Sequence, residues 1–213
     1  MVKKPDQTKI SEQTQHENKV QNHKVRMQKL KAKVDDKIAS AQQEKGLLLV
    51  ITGNGKGKST SGFGTVLRAV GHGLSAGVVQ FIKGNWDCGE RNILEKLGVN
   101  FTVMATGFTW DTQDKSADIA AAEKAWKESE RLLNDSTIDV VLLDELTYMV
   151  AYKYLALDKV ITALKNRPAQ QHVIITGRGC HREIIELADT VSEVQSIKHA
   201  FDNGIKAQQG IDF

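Results

Sequence analysis

The 213-residue chain has few of the residues that mark several protein classes. Its two cysteines, Cys88 and Cys180, lie far apart and predict neither a disulfide framework nor a structural zinc site. No apolar run approaches about 18 residues, the length of a membrane-spanning helix. The first 15 residues also lack the apolar core of a signal peptide. These absences predict a cytoplasmic protein with no membrane partner.

Charge is concentrated at the amino-terminal end. Residues 1–45 contain 11 Lys/Arg and 6 Asp/Glu, whereas the remainder is nearly neutral. A basic arm can attract nucleic acid, but this one has no aromatic residue and no nucleic-acid-binding motif accompanies it. A solvated, lysine-rich helix is therefore the preferred interpretation, and no nucleic-acid partner is predicted.

Residues 16–43 have the apolar spacing of an amphipathic helix. Met27, Leu30, Val34, Ile38 and Ala41 follow one another at intervals of three and four, which forms one narrow stripe on a charged helix. Such a stripe is expected to lie against its own domain or a second subunit. We therefore predict an arm at 1–45 and a nucleotide-binding domain at 46–213.

Residues 47–61, LLLVITGNGKGKSTS, have the pattern of a phosphate-binding loop. A buried strand ends in glycines that leave backbone N–H groups open to an anion, and a helix follows. Lys58 would clamp the outer phosphates, and the Ser59 hydroxyl would ligate Mg²⁺. The loop is one residue shorter between its outer glycines than the common G-x-x-x-x-G-K-[ST] form, and a glycine-rich turn without ligand is the alternative. The predicted nucleotide-binding residues are Gly53, Asn54, Gly55, Lys56, Gly57, Lys58, Ser59 and Thr60.

Strands and helices alternate along the rest of the domain. The patterns predict strands at 47–51, 77–83, 100–105, 138–143, 172–176 and 190–194, with helices at 60–73, 90–97, 115–133, 146–155, 158–166 and 181–188. This order predicts an α/β fold with a mainly parallel, about six-stranded sheet covered by helices on both faces, of the P-loop NTPase or RecA-like type. Ligands of such sheets bind beyond the carboxyl ends of the strands.

Charged residues follow two of these strands. Asp144 and Glu145 come after four apolar residues, where a carboxylate can hold Mg²⁺ beside the phosphate loop, and the alternative is an acidic helix cap. Their side chains should point in different directions, so one of them is expected to be structural. Arg178 lies between two glycines after the fifth strand and can turn towards a phosphate, unless it is a surface loop arginine.

Two loops carry aromatic residues in a chain that is only 6% aromatic. Trp86 lies at the tip of the loop after the second strand, and Phe108 and Trp110 follow the third strand. Phe108 and Trp110 either pack in the core or form an apolar platform for a large flat ligand above the nucleotide. The adjacent Cys180 and His181 have no evident acidic partner, so thiol catalysis is not predicted there.

With these residues assembled, residues 46–213 resemble the phosphate-loop type of ATP:corrinoid adenosyltransferase. The resemblance rests on segments that include TGNGKGKST, GVVQFIKG, MATGFTW, VVLLDELTYMVAYKYL, VIITGRGCHR and KHAFDNGIKAQQGIDF. The hydroxyl residue after Lys58 is serine, where threonine is commoner in that family, and this keeps a metal ligand.

The resemblance implies a reaction in which the Co(I) centre of a corrinoid attacks the 5′-carbon of ATP and triphosphate leaves. The catalytic residues would be Lys58, Phe108, Trp110 and Arg178, with Ser59, Glu145 and Asp144 near Mg²⁺ or Mn²⁺. The aromatic pair would exclude the lower axial ligand of cobalt, and a flavodoxin-like flavoprotein would supply the electron that forms Co(I). The resemblance also implies reversed binding of ATP along the loop, and a homodimer whose amino-terminal helix covers the active site.

Two other functional classes stay open from the residues themselves. A phosphate-loop ATPase would release orthophosphate. A corrinoid carrier or nucleotide-gated regulator would release no product. Analysis of the phosphate product separates both classes from a transferase.

Overall fold

The computed structural model describes residues 7–82, 87–104 and 115–212, with side chains described from residue 18. Trp86, Phe108 and Trp110 lie outside the described residues, so the roles predicted for Phe108 and Trp110 stay predictions. The chain divides into two compact units, Met1–Glu44 and Lys45–Phe213.

The first unit contains one helix, α1, at Gln7–Ser40. It begins nine residues before the predicted start at 16, because the Gln- and Glu-containing segment before it forms helix readily without an apolar stripe. It also ends before Ala41, so the prediction of helix to residue 43 was too long. The stripe residues on α1 are exposed, from 41% for Met27 to 66% for Ile38.

The second unit contains six strands and six helices in the described ranges. The strands are β1 Leu48–Thr52, β2 Ala76–Gln80, β3 Asn100–Val103, β4 Val140–Asp144, β5 His172–Thr176 and β6 Thr190–Glu193. The helices are α2 Lys58–Gly71, α3 Gly89–Leu94, α4 Lys115–Asn134, α5 Leu146–Ala151, α6 Leu157–Asn166 and α7 Arg182–Leu187. Short 3₁₀ turns occupy Glu95–Leu97 and Phe201–Asn203. No helix in this part of the chain, or in α1 as described, is long and apolar enough to cross a membrane.

The six strands form one sheet in the order β3-β2-β4-β5-β1-β6, and every described pair is parallel. The predicted fold class is therefore confirmed. Because the strands are parallel, all six carboxyl ends lie along one edge of the sheet. The loops after β1, β4 and β5 come together there, since these strands are close neighbours in the order.

Apolar side chains cover both faces of the sheet. On one face Trp126 and Leu133 of α4, together with residues of α5, α6 and α7, pack on Val141 and Leu143. On the other face Phe63 and other residues of α2 pack on Val140 and Leu142. The two faces use alternate residues of β4, as the period of two in a strand requires. Burial of this kind on both sides explains the continuous apolar runs of the central strands.

Strand ends differ from the sequence-based boundaries where pairing stops. The second strand was predicted to run to Lys83, but β2 ends at Gln80, which pairs with Asp144 on one side and Val103 on the other. Both neighbours end at those residues, so the chain beyond Gln80 has no strand to pair with. Phe81 and Ile82 are nevertheless buried, which explains why their pattern predicted strand.

Candidate nucleotide and corrinoid site

One cavity of about 740 Å³ lies at the carboxyl edge of the sheet. Residues 55–60 of the phosphate loop, Glu145 and Arg178 all line it. The topology thus brings together three segments that are separated by up to about 120 positions in sequence. These are the segments in which site residues were predicted, and each follows a different strand.

Lys58 is the first residue of α2 and points back over the loop. Its ammonium group donates a hydrogen bond to the carbonyl oxygen of Gly55 at 2.7 Å, and the side chain is 6% exposed. Burial lowers the pKa of Lys58 from its ordinary value of 10.5, and the nearby charge of Glu145 opposes that shift. A partly desolvated ammonium group at the mouth of a glycine loop gains strongly from an incoming phosphate.

The loop itself rests against the chain that follows β6. The Gly55 N–H group donates to the Val194 carbonyl at 2.7 Å. A Cβ atom at Gly55 would lie 2.5 Å from the Gln195 carbonyl oxygen, so only glycine fits there. The amide of Gly55 is therefore bonded to a protein carbonyl group in this structure.

The two adjacent carboxylates are separated by the structure. Asp144 is fully buried, where it accepts hydrogen bonds from Gln80 Nε2 at 3.1 Å and from Thr176 Oγ1 at 2.7 Å. Glu145 has a left-handed backbone with φ 60°, and it lines the cavity that Asp144 does not line. The turn at Glu145 therefore directs one carboxylate into the core and the other towards the phosphate loop.

Arg178 is exposed after β5 and lines the same cavity. Its carbonyl oxygen accepts a hydrogen bond of 2.7 Å from the hydroxyl of Thr147, at the start of α5. The segment that carries Arg178 is therefore tied to the helix that follows Glu145. The loops after β4 and β5 thereby hold each other in place.

The carboxyl-terminal segment was missed by the sequence analysis as part of the site. His199, Ala207, Gly210, Ile211 and Asp212 line the cavity on the side of the phosphate loop nearest β6. Their segment, KHAFDNGIKAQQGIDF, contributed to the family resemblance, but no role in the site was assigned to it. The available signal was their position after a strand that the fold places beside β1.

An ion pair ties this segment to the phosphate loop. Asp212 Oδ1 lies 2.6 Å from Lys56 Nζ, and Asp212 Oδ2 accepts a hydrogen bond from the Gln208 N–H group at 2.8 Å. The hydrogen bond from Lys56 is the main reason that the pKa of Asp212 is lowered. Lys56, predicted to bind nucleotide, is thus paired with protein in this structure.

The opposite part of the cavity is apolar. Its lining there consists mainly of Phe63 and Leu67 of α2 with Ile82, Ile93 and Leu94, and the acidic residues Asp87 and Glu90 line it too. Ile82 and the chain from residue 87 border one of the gaps in the described residues, and the loop with Phe108 and Trp110 follows the adjacent strand β3. The cavity therefore combines a charged end with an apolar end, as a polyanion and a large apolar partner would require.

The donor groups at the charged end suit a magnesium ion that is shared with phosphates. The described residues contain no cluster of three or more His, Cys, Asp or Glu side chains that would hold a metal on its own. The Ser59 hydroxyl and the Glu145 carboxylate are oxygen donors that line one cavity. Mg²⁺ is commonly bound through one or two protein oxygens, waters and substrate phosphates, so this donor set fits it.

The Cys180–His181 pair has no features of a catalytic thiol. Burial raises the pKa of the Cys180 thiol to about 11, so the thiol is protonated at neutral pH. The His181 ring accepts a hydrogen bond from the Glu183 N–H group at 3.3 Å and caps α7.

Comparison with known proteins decides the family. A sequence model of the ATP:corrinoid adenosyltransferases BtuR, CobO and CobP matches residues 44–213. The chain belongs to the ATP:corrinoid adenosyltransferase family. Its members are transferases, and the predicted adenosyl transfer from ATP to a corrinoid in cobalamin synthesis is confirmed at this level.

Individual adenosyltransferases match nearly the whole chain. The corrinoid adenosyltransferase of Escherichia coli K12 is 62% identical over 193 residues, covering 91% of this chain and 98% of the relative. Corrinoid adenosyltransferase CobA of Salmonella typhimurium LT2 is 61% identical with the same coverage. Among solved structures, the flagellar accessory protein FlaH of Methanocaldococcus jannaschii gives a TM-score of 0.38 at 13% identity, covering 70% of this chain and 71% of that protein. That likeness is too loose to carry an argument.

Proposed function

We propose that this adenosyltransferase binds the triphosphate of ATP at the charged end of the cavity and the corrinoid at its apolar end. The proposal rests on one observation. A single cavity is lined both by Lys58, Glu145 and Arg178 and by apolar side chains of α2 and α3. The 5′-carbon of ATP would then lie between the two ends. This arrangement places the triphosphate leaving group and the Co(I) corrinoid nucleophile in different parts of the cavity.

The proposed reaction is a nucleophilic displacement at carbon. Co(I) supplies both electrons of the new Co–C bond, and the bond between the 5′-carbon and its oxygen breaks with its electron pair on triphosphate. Lys58 and Arg178 would stabilise the negative charge that develops on this leaving group, a role for preorganised donors that is strongest in the transition state. The apolar end would keep water away from the corrinoid. ATP would lie in the reversed orientation along the short loop.

Ser59 and Glu145 would hold Mg²⁺, or Mn²⁺ in its place, together with the phosphates. Such an ion supplies neutralisation of the charge on triphosphate when it is bound. Asp144 is already bonded to Gln80 and Thr176, so we assign it to support of the site instead of metal contact. The sequence left open which of the two carboxylates contacts the metal, and this assignment selects Glu145.

We also propose the accessory features that the family resemblance implies. Phe108 and Trp110 would lie under the corrin ring and remove the lower axial ligand, which makes Co(II) easier to reduce. A flavodoxin-like flavoprotein would donate the electron. The protein would work as a cytoplasmic homodimer, in which the arm at 1–45 covers a site in the domain at 46–213.

Product analysis tests the reaction. The protein is incubated with ATP, Mg²⁺ and chemically reduced cobalamin, while the optical spectrum and the phosphate products are recorded. A Co–C spectrum with stoichiometric triphosphate is expected. Orthophosphate as the sole phosphate product would contradict the proposal and identify an ATPase. Binding without any product would identify a carrier or regulator.

The aromatic pair is tested by comparing two ways of starting the reaction. Phe108→Ala or Trp110→Ala should reduce the flavoprotein-driven reaction at least about tenfold more than the reaction from prepared Co(I), since their work precedes alkyl transfer. The melting temperature should stay close to that of the wild type. Equal loss in both assays with a melting temperature lower by on the order of 10 °C would instead show core packing, because truncation of a buried aromatic costs about 3–5 kcal/mol.

A further inference from the structure

Thr176 lies at the carboxyl edge of the sheet, beside the strand end that carries Asp144. It is the last residue of β5 and is fully buried. Its hydroxyl donates to Asp144 Oδ1 at 2.7 Å and accepts from the Glu145 N–H group at 2.9 Å. One hydroxyl group therefore links the buried carboxylate to the backbone of the carboxylate that lines the cavity.

The backbone of Glu145 needs such support. Its φ of 60° lies in the left-handed region, where a residue other than glycine is held only by its surroundings. The next residue begins α5, so the conformation at Glu145 determines both where its side chain lies and where the helix starts. The hydrogen bond from its N–H group to Thr176 is a direct restraint on that conformation.

The hydroxyl can serve as an acceptor because Asp144 fixes its proton. A threonine hydroxyl has one hydrogen, and here it points at the Asp144 carboxylate, which leaves an oxygen lone pair for the Glu145 N–H group. Gln80 Nε2 holds the other oxygen of Asp144 from the neighbouring strand. The chain of contacts Gln80–Asp144–Thr176–Glu145 thus runs across three strand ends.

The neighbouring Gly177 shows how closely this region is packed. A Cβ atom there would lie 2.1 Å from Thr147 Oγ1 and 3.1 Å from Glu145 Oε2. The backbone of Gly177 is also left-handed, with φ 134°. The Glu145 side chain therefore lies against a backbone that leaves it little room to shift.

We propose that Thr176 is a positioning residue, whose hydroxyl fixes the Glu145 turn so that the Glu145 carboxylate faces the phosphate loop. The inference rests on the proposed role of Glu145 at Mg²⁺ and extends it by one residue that touches neither ATP nor corrinoid. Thr176 contributes through hydrogen-bond geometry, not through its charge or volume. A variant that keeps its shape but lacks the hydroxyl should therefore expose its role.

The chain offers a matched control in Thr147. This residue is equally buried and also has a bonded hydroxyl, but its partner is the Arg178 carbonyl oxygen instead of Glu145. Thr176→Val and Thr147→Val each remove one buried hydroxyl at nearly constant volume. Thr176→Ser restores the hydroxyl, and Thr176→Cys supplies a weak donor and acceptor at a similar place.

The first measurement is amide hydrogen exchange at Glu145 in the full chain, which needs no metal. Thr176→Val should speed this exchange on the order of tenfold, the effect of losing one hydrogen bond. Thr176→Cys should have a smaller effect, and Thr176→Ser should leave the exchange close to the wild type. Thr147→Val loosens the two loops without removing the hydrogen bond of the Glu145 N–H group, so it should also have a smaller effect than Thr176→Val. Unchanged exchange in Thr176→Val, or equal acceleration in both valine variants, would overturn the proposal. If Thr176→Val does not fold, Thr176→Cys and Thr176→Ser are compared instead. Exchange at Glu145 that is no faster in Thr176→Cys than in Thr176→Ser would then overturn the proposal.

The second measurement is ATP binding by calorimetry with Mg²⁺ and with EDTA, with Glu145→Gln as the reference. Thr176→Val should weaken binding several-fold only when Mg²⁺ is present, and Thr176→Ser should restore it. Equal weakening with Mg²⁺ and EDTA would overturn positioning and indicate a general loss of structure. If Glu145→Gln does not change the difference in ATP affinity between Mg²⁺ and EDTA, the proposed role of Glu145 at the metal is wrong. The positioning role of Thr176 is then still tested by the exchange measurement.

Discussion

The cavity has two walls that are built in different ways. The inner wall, residues 55–60, is continuous in sequence, and it includes the buried Lys58. The outer wall, formed by His199, Ala207 and residues 210–212, is mostly exposed, and the Lys56–Asp212 ion pair joins it to the inner wall. A continuous loop braced by a strand and a helix is rigid, whereas an exposed ion pair contributes little. Binding energy for the triphosphate should therefore come mainly from the inner wall.

The sharpest test of this contrast is Lys58→Ala. Loss of the partly desolvated ammonium group should reduce kcat/KM for ATP at least about a hundredfold, equivalent to about 2.7 kcal/mol, without unfolding the protein. Steady-state kinetics and circular dichroism check both parts. Near-normal turnover by a folded variant would show that the inner wall does not dominate.

Substitutions of the two carboxylates next to the inner wall should have different effects on Mg²⁺ dependence and on stability. Glu145→Gln is expected to raise the Mg²⁺ concentration needed for half-maximal activity about tenfold or more, with little change in melting temperature. Asp144→Asn should lower the melting temperature more and the Mg²⁺ response less, because Asp144 is buried between Gln80 and Thr176. Titration of activity with Mg²⁺, beside thermal melting, checks both. A reversed pattern would mean that Asp144 is the residue on the metal side.

The pH dependence of ATP binding should also report the inner wall. Burial lowers the pKa of Lys58, so in the empty site the ammonium group loses its proton below the ordinary value of 10.5. ATP needs the charged form, and KM for ATP should therefore rise as the pH increases through that lowered pKa. The unfolded chain holds this proton more tightly, so the same shift makes folding more favourable as the pH rises from the folded to the unfolded pKa.

Lys58→Arg is the control for that pH profile. An arginine stays charged throughout the alkaline range, so the rise in KM should disappear even if the affinity itself is lower. The comparison uses the shape of the profile, measured from about pH 7 upwards, and not the absolute KM. A rise that persists in the arginine variant would assign the titration to another group.

The smallest effect is expected for the ion pair that joins the two walls. Asp212→Asn or Lys56→Gln should change KM for ATP by no more than about threefold, because both side chains are partly exposed. Either variant should speed tryptic cleavage after Lys198 or Lys206, because the segment has lost its link to the loop. A loss as large as that of Lys58→Ala would mean that the outer wall binds triphosphate directly.

The link between the walls should weaken in acid. The ordinary Asp carboxylate is charged at neutral pH, and the pKa of Asp212 is lowered further by its hydrogen bond from Lys56. The contribution of the pair is therefore present above the unfolded pKa of Asp212 and is lost as the pH falls through the folded value. Faster cleavage of the tail in acid, with a protease active there, is the matching observation.

Much of the molecule could be predicted from local patterns. The phosphate loop was found because strand, glycines, Lys58 and Ser59 are adjacent and each acts through its own chemistry. The alternation of apolar runs and helical stripes was enough for the parallel sheet, since burial on both faces imposes it. The aromatic loop with Phe108 and Trp110 was singled out in the same way, and its role stays a prediction.

Boundaries and long-range partners could not be predicted in this way. The end of β2 at Gln80 depends on where β3 and β4 stop, which no property of the β2 sequence expresses. The link from the Gly55 amide to Val194 joins segments about 140 residues apart. Such contacts arise from strand order, and strand order is a property of the whole sheet.

The sequence by itself determined the fold class and the phosphate loop, because these depend on adjacent residues and regular periods, and it indicated the family through its resemblance to known members. Only the tertiary structure showed that the two neighbouring carboxylates have different surroundings. The left-handed turn at Glu145 and the hydroxyl of Thr176 place Asp144 in the core and Glu145 on the cavity. The physical reason is that burial and hydrogen-bond partners come from β2 and β5, strands that are distant in sequence and adjacent to β4 in the sheet.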